Sequence, residues 1–390
     1  MSFSFTDPDV NQFSIEQRQA YDAVLAGRSV LISGPAGTGK STILNALSSK
    51  FGRGLSVTAS TGIAALNVGG ATLHTFAGLG IAEEAPEFLV AKVRKNRGAV
   101  RRIRSCVILV IEEISMISAE LFDKVSFVFS KIRNDRRPFG GVQVVLFGDF
   151  LQLPPVNKRK REDDPDVGFA FEARAWRQLD IKTILLKKVY RQKDQAFADA
   201  LNDMRLGEVD SPRMQIIYER NSTVPPSDGV RPVIIDTTNA AVDYLNAAEL
   251  NKIPEKPQSY HAIDEGESYW REKLDKDCLA PKCLTVKTGA QVMLLKNVDL
   301  GQGLANGSLG EVISTSPVSV TVKFTNGITW EVEREKFEIS NGDSVLASRN
   351  QIPLRLAYAI TAHKVQGMTL DRVFCRLHRA FECGQAYVAI

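Results

Sequence analysis

Apolar positions change rhythm along this chain. In the first half, short runs that are apolar at nearly every position alternate with stretches whose apolar residues recur three and four apart. SVLIS (Ser29–Ser33), LSVTA (Leu55–Ala59), VILVI (Val107–Ile111) and VQVVLF (Val142–Phe147) read as buried strands, since a strand covered on both faces needs no polar side. TILNALSSKF puts Ile43, Leu44 and Leu47 on one helical face. Leu89, Val93, Val100 and Ile103 form a similar stripe through a basic stretch, and FAFEARAWRQL (Phe169–Leu179) reads as a helical link. IKTILL (Ile181–Leu186) is expected to open a second α/β unit, to which PVIIDTT, ITAHKVQG and RVFCRL add strands and turns. Between these, GAQVMLL, SLGEVI, SVTVKF and ITWEVE are short alternating strands, with turns at Asn306-Gly307 and Asn326-Gly327. The pattern predicts an α/β chain. A first unit covers 1–180, with a small accessory insert about 78–104. A second covers 181–286 and 353–390, and a small β-barrel about 287–352 is inserted in it. Ser259–Lys273 is polar and expected to be exposed.

Composition bounds this picture without deciding it. The 390 residues are too many for one ordinary domain. A hydrophobic share of 44% supports real cores, and the net charge of +4 permits a nucleic-acid partner without requiring one. No apolar run reaches membrane-spanning length, and MSFSFTDPDV lacks a charged-then-apolar leader pattern. An intracellular protein with no membrane partner is expected. The five cysteines are scattered. Only Cys278 and Cys283 are close, which leaves reduced thiols or a zinc site open, with no second pair or histidine doublet to favour zinc.

Chemistry enters at Gly34–Ser41. GPAGTGKS stands between a predicted strand and a predicted helix, the setting of a phosphate-binding loop. The backbone of Gly34, Ala36, Gly37, Thr38 and Gly39 can turn N–H groups onto phosphates at a helix N-terminus, next to Thr42. Lys40 supplies a charge for the β- and γ-phosphates, and Ser41 a hydroxyl for Mg²⁺. Such a loop wants a carboxylate on a second strand. Glu112 would hold the Mg²⁺ shell and Glu113 would polarise the attacking water; alone, the pair would read as solvated glutamates at a strand tip. A third strand end brings Asp149 and Gln152 to the same edge of a parallel sheet, where Gln152 can sense the γ-phosphate. ATP and Mg²⁺ are the expected cofactors.

The use of that nucleotide is less legible. Thr61, Gly62, His74, Thr75 and Phe76 sit in a small, hydroxyl-rich stretch after LSVTA. It suits a sugar-phosphate backbone with Phe76 stacked on a base, and equally a packed turn. KVRKNRGAVRRIR (Lys92–Arg104) holds seven basic residues and no acidic one. It reads as a phosphate-facing surface or as a solvated helix face. NKRKRE (Asn157–Glu162) is a solvated basic loop or a nuclear-localisation signal.

The series GPAGTGKS, TASTGIAALNVGGATLHTFAGLG, IEEISMI, RPFGGVQVVLFGDFLQLPPV, VYRQKD and ITAHKVQGMTLD, in this order, resembles the Pif (petite integration frequency) family of 5′-to-3′ DNA helicases, in the RecD-like branch of superfamily one. AELFDKVSFVFSKIR (Ala119–Arg133) is similar to that family's signature helix. The resemblance runs from SIEQRQA to the last residue. It implies two RecA-like P-loop motor domains with ATP between them, a DNA-facing barrel, and unwinding of duplex or forked DNA by stepping along a single strand. It implies an adenine-reading Gln17, a catalytic base at Glu113 and an arginine finger at Arg191 borne by the second motor. Strand contacts are implied at Thr238, Asn239, His363, Lys364 and Gln366, and nucleotide coupling at Gly367. A monomer in solution is expected, in the nucleus and mitochondrion if the cell is eukaryotic, with work in repair, recombination, replication and telomere maintenance. Two positions and the final segment depart from the family. Glu112 stands where aspartate is usual, and Val365 where serine is usual. GQAYVAI resembles the start of the final motif, which usually runs on to Leu-Ser-Arg. The chain as written is therefore expected to bind ATP and DNA but to hydrolyse weakly. A nucleotide-gated single-strand-binding module with impaired hydrolysis is the alternative.

Overall fold

The computed structural model describes residues 10–80, 82–155, 167–190, 192, 194–220, 223–224, 229–236, 238–299, 301–341, 344–365, 368, 370, 372–376 and 384–390. They form two compact units that divide between Arg213 and Met214.

The first unit is built on a parallel sheet. Its strands are β1 (Val30–Ser33), β2 (Leu55–Ala59), β3 (Ala71–Thr72), β4 (Ile108–Glu112), β5 (Gln143–Gly148) and β6 (Lys182–Leu185), in the order β3-β2-β4-β5-β1-β6. Every pairing is parallel. The four buried runs read from the sequence are the four inner strands, and alternate residues of each serve opposite cores. Leu31, Leu109, Ile111, Val144 and Leu146 meet helix Ala119–Arg133 and the helices before β4. Val30, Ile32, Ile108, Val110, Val145 and Phe147 meet helices Ile15–Leu25 and Lys40–Phe51. Ile43, Leu44 and Leu47 are buried there.

Two expectations need correction. Ile181–Leu186 does not open the second unit. β6 pairs with β1, Val30 opposite Lys182 through Ser33 opposite Leu185, so the boundary expected at 180/181 lies after Arg213. An edge strand has one covered face, and Ile184 is the buried position within it. Such a strand looks the same in sequence whichever sheet it joins. The basic stretch is two helices, Pro86–Lys95 and Arg97–Ser105. Asn96 ends the first and caps the second by accepting the Ala99 N–H at 3.0 Å.

The second unit has a parallel sheet in the order Ala359–Thr361, Val233–Asp236, Val373–Cys375. A five-stranded antiparallel sheet runs Thr329–Val332, Val320–Phe324, Leu309–Thr315, Gln291–Leu294, Leu354–Leu356. Four of these are the alternating strands read from the sequence. The fifth lies past residue 352, so this sheet extends beyond the expected insert. The Asn326-Gly327 turn forms, with Gly327 at φ 86° and its N–H donating to the Phe324 carbonyl at 2.9 Å. Ser259–Lys273 is not simply exposed: it contains strand Ile263–Gly266 and the start of helix Ser268–Asp277, and Tyr260 is buried. Arg349 explains this, since its buried guanidinium binds both Asp264 and Asp275 and ties the stretch to strand Ser344–Gln351. Among the described residues no helix is long and apolar enough to cross a membrane. No cluster of three or more His, Cys, Asp or Glu fit to hold a metal is found among them either, and Cys278 and Cys283 are free thiols.

Candidate active site

In a parallel sheet all strands end on one edge, and here β1, β2, β4 and β5 deliver their following residues to it. β1 runs directly into Gly34. Gly37 and Gly39 adopt φ 76° and 83°, and Gly39 precedes helix Lys40–Phe51. A Cβ at Gly39 would overlap the side-chain amide of Gln17, and one at Gly34 would lie 2.5 Å from the Leu186 carbonyl, so both positions need glycine. Lys40 Nζ donates to the Gly34 and Pro35 carbonyls at 2.7 and 3.0 Å. Thr38 is buried and its hydroxyl donates to the Pro35 carbonyl at 2.9 Å. Ala36, Ser41 and Thr42 are exposed.

Gln17 reaches this loop through a helix cap. Ser14 caps helix Ile15–Leu25, and its N–H donates to Gln17 Oε1 at 2.9 Å, while Gln17 Nε2 donates to the Thr38 carbonyl at 3.2 Å. The segment before Arg191 is tied there too. The Leu186 N–H donates to the Ser33 carbonyl and the Tyr190 N–H to the Gly37 carbonyl, both at 2.8 Å. Arg191 itself lies outside the described residues. Its neighbours belong to the first unit, not the second as the resemblance implied.

Glu112 is buried at the end of β4 and accepts the Glu113 N–H at 2.9 Å. Burial pushes its carboxyl above the ordinary range, opposed by that N–H and by the Lys40 charge. Glu113 is half-buried in the left-handed region, φ 52° and ψ 50°, a strained conformation for glutamate that turns the chain sharply after the strand. Gly148 lets β5 end against this turn, since a Cβ there would lie 3.0 Å from the Ile114 N–H nitrogen. Gln152 is buried, and its amide donates to Asp149 at 3.4 Å.

The stretch after β2 divides. Thr61 and Gly62 are half-buried at the start of helix Gly62–Asn67, and His74 is half-buried in helix Leu73–Ala77. Phe76 is not placed to stack on a base. It is buried, with Phe129 stacked against it at 6.3 Å and the Arg102 guanidinium over it at 5.8 Å. Thr75 is buried as well, its hydroxyl bonded to Thr72 at 2.8 Å. The aromatic signal marked a core residue. Arg102, from the basic stretch, is not on a solvated face either: it donates to the Thr75 and Phe76 carbonyls at 2.9 Å each, and burial pulls its pKa down to about 10.

In the second unit, Thr238 caps helix Asn239–Asn251 by accepting the Ala241 N–H at 3.3 Å, and Thr238 and Asn239 are exposed. His363 and Lys364 lie in the short helix Ala362–Val365, with Lys364 half-buried. Gln366 and Gly367 lie outside the described residues. Val365 is in the core of this unit, so an apolar residue in place of serine finds an apolar site.

Comparison with known proteins shows the family. A model of the PIF1-like helicase family matches residues 12–215, and one of the 2B domain of DNA helicase Pif1 matches 270–314. The chain belongs to the PIF1-like helicase family. It is 38% identical over 388 residues to the ATP-dependent DNA helicase PIF1 of Danio rerio, covering 98% of this chain and 60% of that protein. It is 38% identical over 383 residues to the human protein of that name, covering 97% of this chain and 59% of that one. Among solved structures, the Pif1 helicase of Candida albicans superposes with a TM-score of 0.76 at 38% identity, over 97% of this chain and 92% of that one. Bacteroides sp Pif1 in complex with ADP-AlF4 superposes with a TM-score of 0.81 at 30% identity, over 96% and 89%. The chain thus spans about 60% of the length of these curated relatives.

The family's model ends at residue 215, next to the division after Arg213. One contact inside it escaped the sequence reading. Asp149 is buried, and Arg205 Nε and Nη2 reach its two oxygens at 2.7 and 2.8 Å. The pair fixes helix Gln195–Leu206 to the end of β5. Its only sequence trace was a charged residue closing an apolar run.

Proposed function

We propose that this chain is an ATP-driven DNA helicase that steps 5′ to 3′ along a single strand and unwinds duplex or forked DNA. The observation that carries it is the convergence of Lys40, Glu112 and Glu113 on one sheet edge, in a chain of the PIF1-like helicase family. Relatives bearing the name ATP-dependent DNA helicase, and a Bacteroides Pif1 structure bound to single-stranded DNA, support the substrate class.

ATP enters with its phosphates on the loop. Lys40 exchanges the Gly34 and Pro35 carbonyls for the β- and γ-phosphates, keeping its hydrogen bonds while neutralising charge. Glu113 polarises the attacking water, and Gln152 senses the γ-phosphate from the end of β5. Arg191 supplies the finger, a role that the Tyr190–Gly37 bond supports. Gln17 joins the adenine site to the loop.

The residues suit Mg²⁺. Ser41 is exposed at the helix start, Glu112 feels the Lys40 charge, and the Ser60 hydroxyl, next to the Glu112 carbonyl, is buried without a hydrogen-bond partner among the described residues. Ser41 and Glu112 would hold the ion, which when bound offsets phosphate charge.

The two parallel-sheet units are read as RecA-like motors, and the antiparallel sheet, which runs on to strand Leu354–Leu356, as a small DNA-facing barrel. Strand contacts are assigned to Thr61, Gly62, His74, Thr238, Asn239, His363, Lys364 and Gln366. The protein is read as an intracellular monomer serving DNA repair, recombination, replication and telomere maintenance. The test is unwinding of a duplex with a single 5′ tail against one with a single 3′ tail. Unwinding of the 5′-tailed substrate alone is expected, and preference for the 3′ tail overturns the polarity. Tight strand binding with no unwinding of either favours the second reading, a nucleotide-gated binding module, for which the burial of Glu112 speaks.

A further inference from the structure

Two cations of the second unit, Arg355 and Lys364, lie near enough for the charge of the first to act on the second. Arg355 lies on strand Leu354–Leu356 in register with Met293. Leu354 and Leu356 pack into the antiparallel sheet's core. Side chains alternate along a strand, so Arg355 faces the opposite side with Met293, which belongs to the core of the parallel sheet. There its Nε is buried and has no hydrogen-bond partner among the described residues. A few residues on, helix Ala362–Val365 carries Lys364, whose ammonium is held below its ordinary range by burial and then by the Arg355 charge. Both cations feel the carboxylate of Asp243, which is exposed on helix Asn239–Asn251.

The elements carrying these groups are locked together. Asn246, on that helix, donates to the Ala359 carbonyl at 2.9 Å and accepts the N–H groups of Tyr358 and Ala359 at 3.1 and 3.0 Å. Among the described residues, two positive charges against one exposed carboxylate leave a local excess, and an orphaned, desolvated guanidinium donor opposes folding. An anion with several acceptor oxygens would relieve both.

We propose that Arg355 binds a backbone phosphate of the single strand beside Lys364, as a strand-positioning residue. This rests on the helicase reading. A phosphodiester offers two oxygens to the guanidinium fork and carries no sequence information, as a protein stepping along any strand requires. A nucleotide's phosphate has the same chemistry, so the test carries both.

Fluorescence anisotropy of labelled oligo-dT is measured with the full chain across a salt series, for wild type, Arg355→Met and Arg355→Lys, together with mant-ADP affinity and melting temperature. Arg355→Met is expected to weaken strand binding roughly three- to tenfold at low salt. It should flatten the slope of log K against log salt by about 0.7, the share of one phosphate on a single strand. Its melting temperature should rise, because the orphaned donor is gone. Arg355→Lys should keep most of the slope. An unchanged slope in Arg355→Met, or a fall in melting temperature with equal loss of both ligands, overturns the proposal in favour of a structural arginine. A loss confined to mant-ADP assigns Arg355 to the nucleotide instead. If wild type does not bind the oligonucleotide at all, the helicase reading itself fails. Should Arg355→Met not fold, single methylphosphonate linkages supply the readout. One such linkage should cost wild type more than Arg355→Lys, and equal costs at every linkage count against the contact.

Discussion

Replacing Arg205 by methionine removes the guanidinium from Asp149 and leaves the rest of the first unit's sheet intact. The Asp149 side chain is 1% exposed and that of Arg205 9%. After the change Asp149 keeps the Leu151 N–H at 3.2 Å and the Gln152 amide at 3.4 Å, both too long to replace two charged bonds under 2.9 Å. Stranding one partner of a buried pair costs about 3–5 kcal/mol. Removing both charges, in Arg205→Met with Asp149→Leu, should cost far less, because no buried charge is left unpaired. The expected coupling is therefore at least about 2 kcal/mol. Urea unfolding reads it. The chain has three tryptophans, and with Trp270 and Trp330 changed to phenylalanine, Trp176 reports alone. It stands 6.0 Å from the ring of Phe150, the residue after Asp149. A loss under about 1 kcal/mol for Arg205→Met, or additive effects in the double variant, would show that the pair holds nothing in place, and that helix Gln195–Leu206 is only loosely part of the first unit.

Gly39→Ala should abolish tight mant-ATP binding, because φ 83° and the overlap with the Gln17 amide force the loop to move; retained affinity would free Gln17 from any role there. Phe76→Ala should cost about 3–5 kcal/mol of stability, while folded molecules, assayed well below the melting temperature, bind oligo-dT as wild type does. A stable protein with weakened binding would return Phe76 to the strand. Glu112→Gln should stabilise the first unit at pH 8. A carboxyl raised by burial favours the folded state least when ionised, so the gain should fade as pH falls toward the unfolded glutamate value of about 4.3. A gain independent of pH would mean that Glu112 is not the titrating group.

The inner sheet and the glycine-rich turn between β1 and helix Lys40–Phe51 were legible because both are local. A doubly covered strand must be apolar throughout, as Ile108–Ile111 is, and a loop that turns N–H groups inward must be glycine-rich. What sequence rhythm could not say was which partner an ambiguous element takes. Leu185 looks alike at the edge of either sheet, and Phe76 has the same side chain in a core as on a base. Arg102 read as surface charge and Arg205 drew no reading, because their acceptors lie 26 and 56 residues away. Lys124, on the signature helix, is hidden likewise: it is buried and donates to the Ala82 carbonyl at 2.8 Å.

The central claim is that the phosphate loop and the two glutamates form a nucleotide site whose turnover answers to a single strand. Steady-state phosphate release by the full chain, with and without oligo-dT, tests it when run beside Lys40→Ala. The account predicts several-fold stimulation by the oligonucleotide in wild type and background release from Lys40→Ala in both conditions. Release that ignores the oligonucleotide, or that survives in Lys40→Ala, would contradict it.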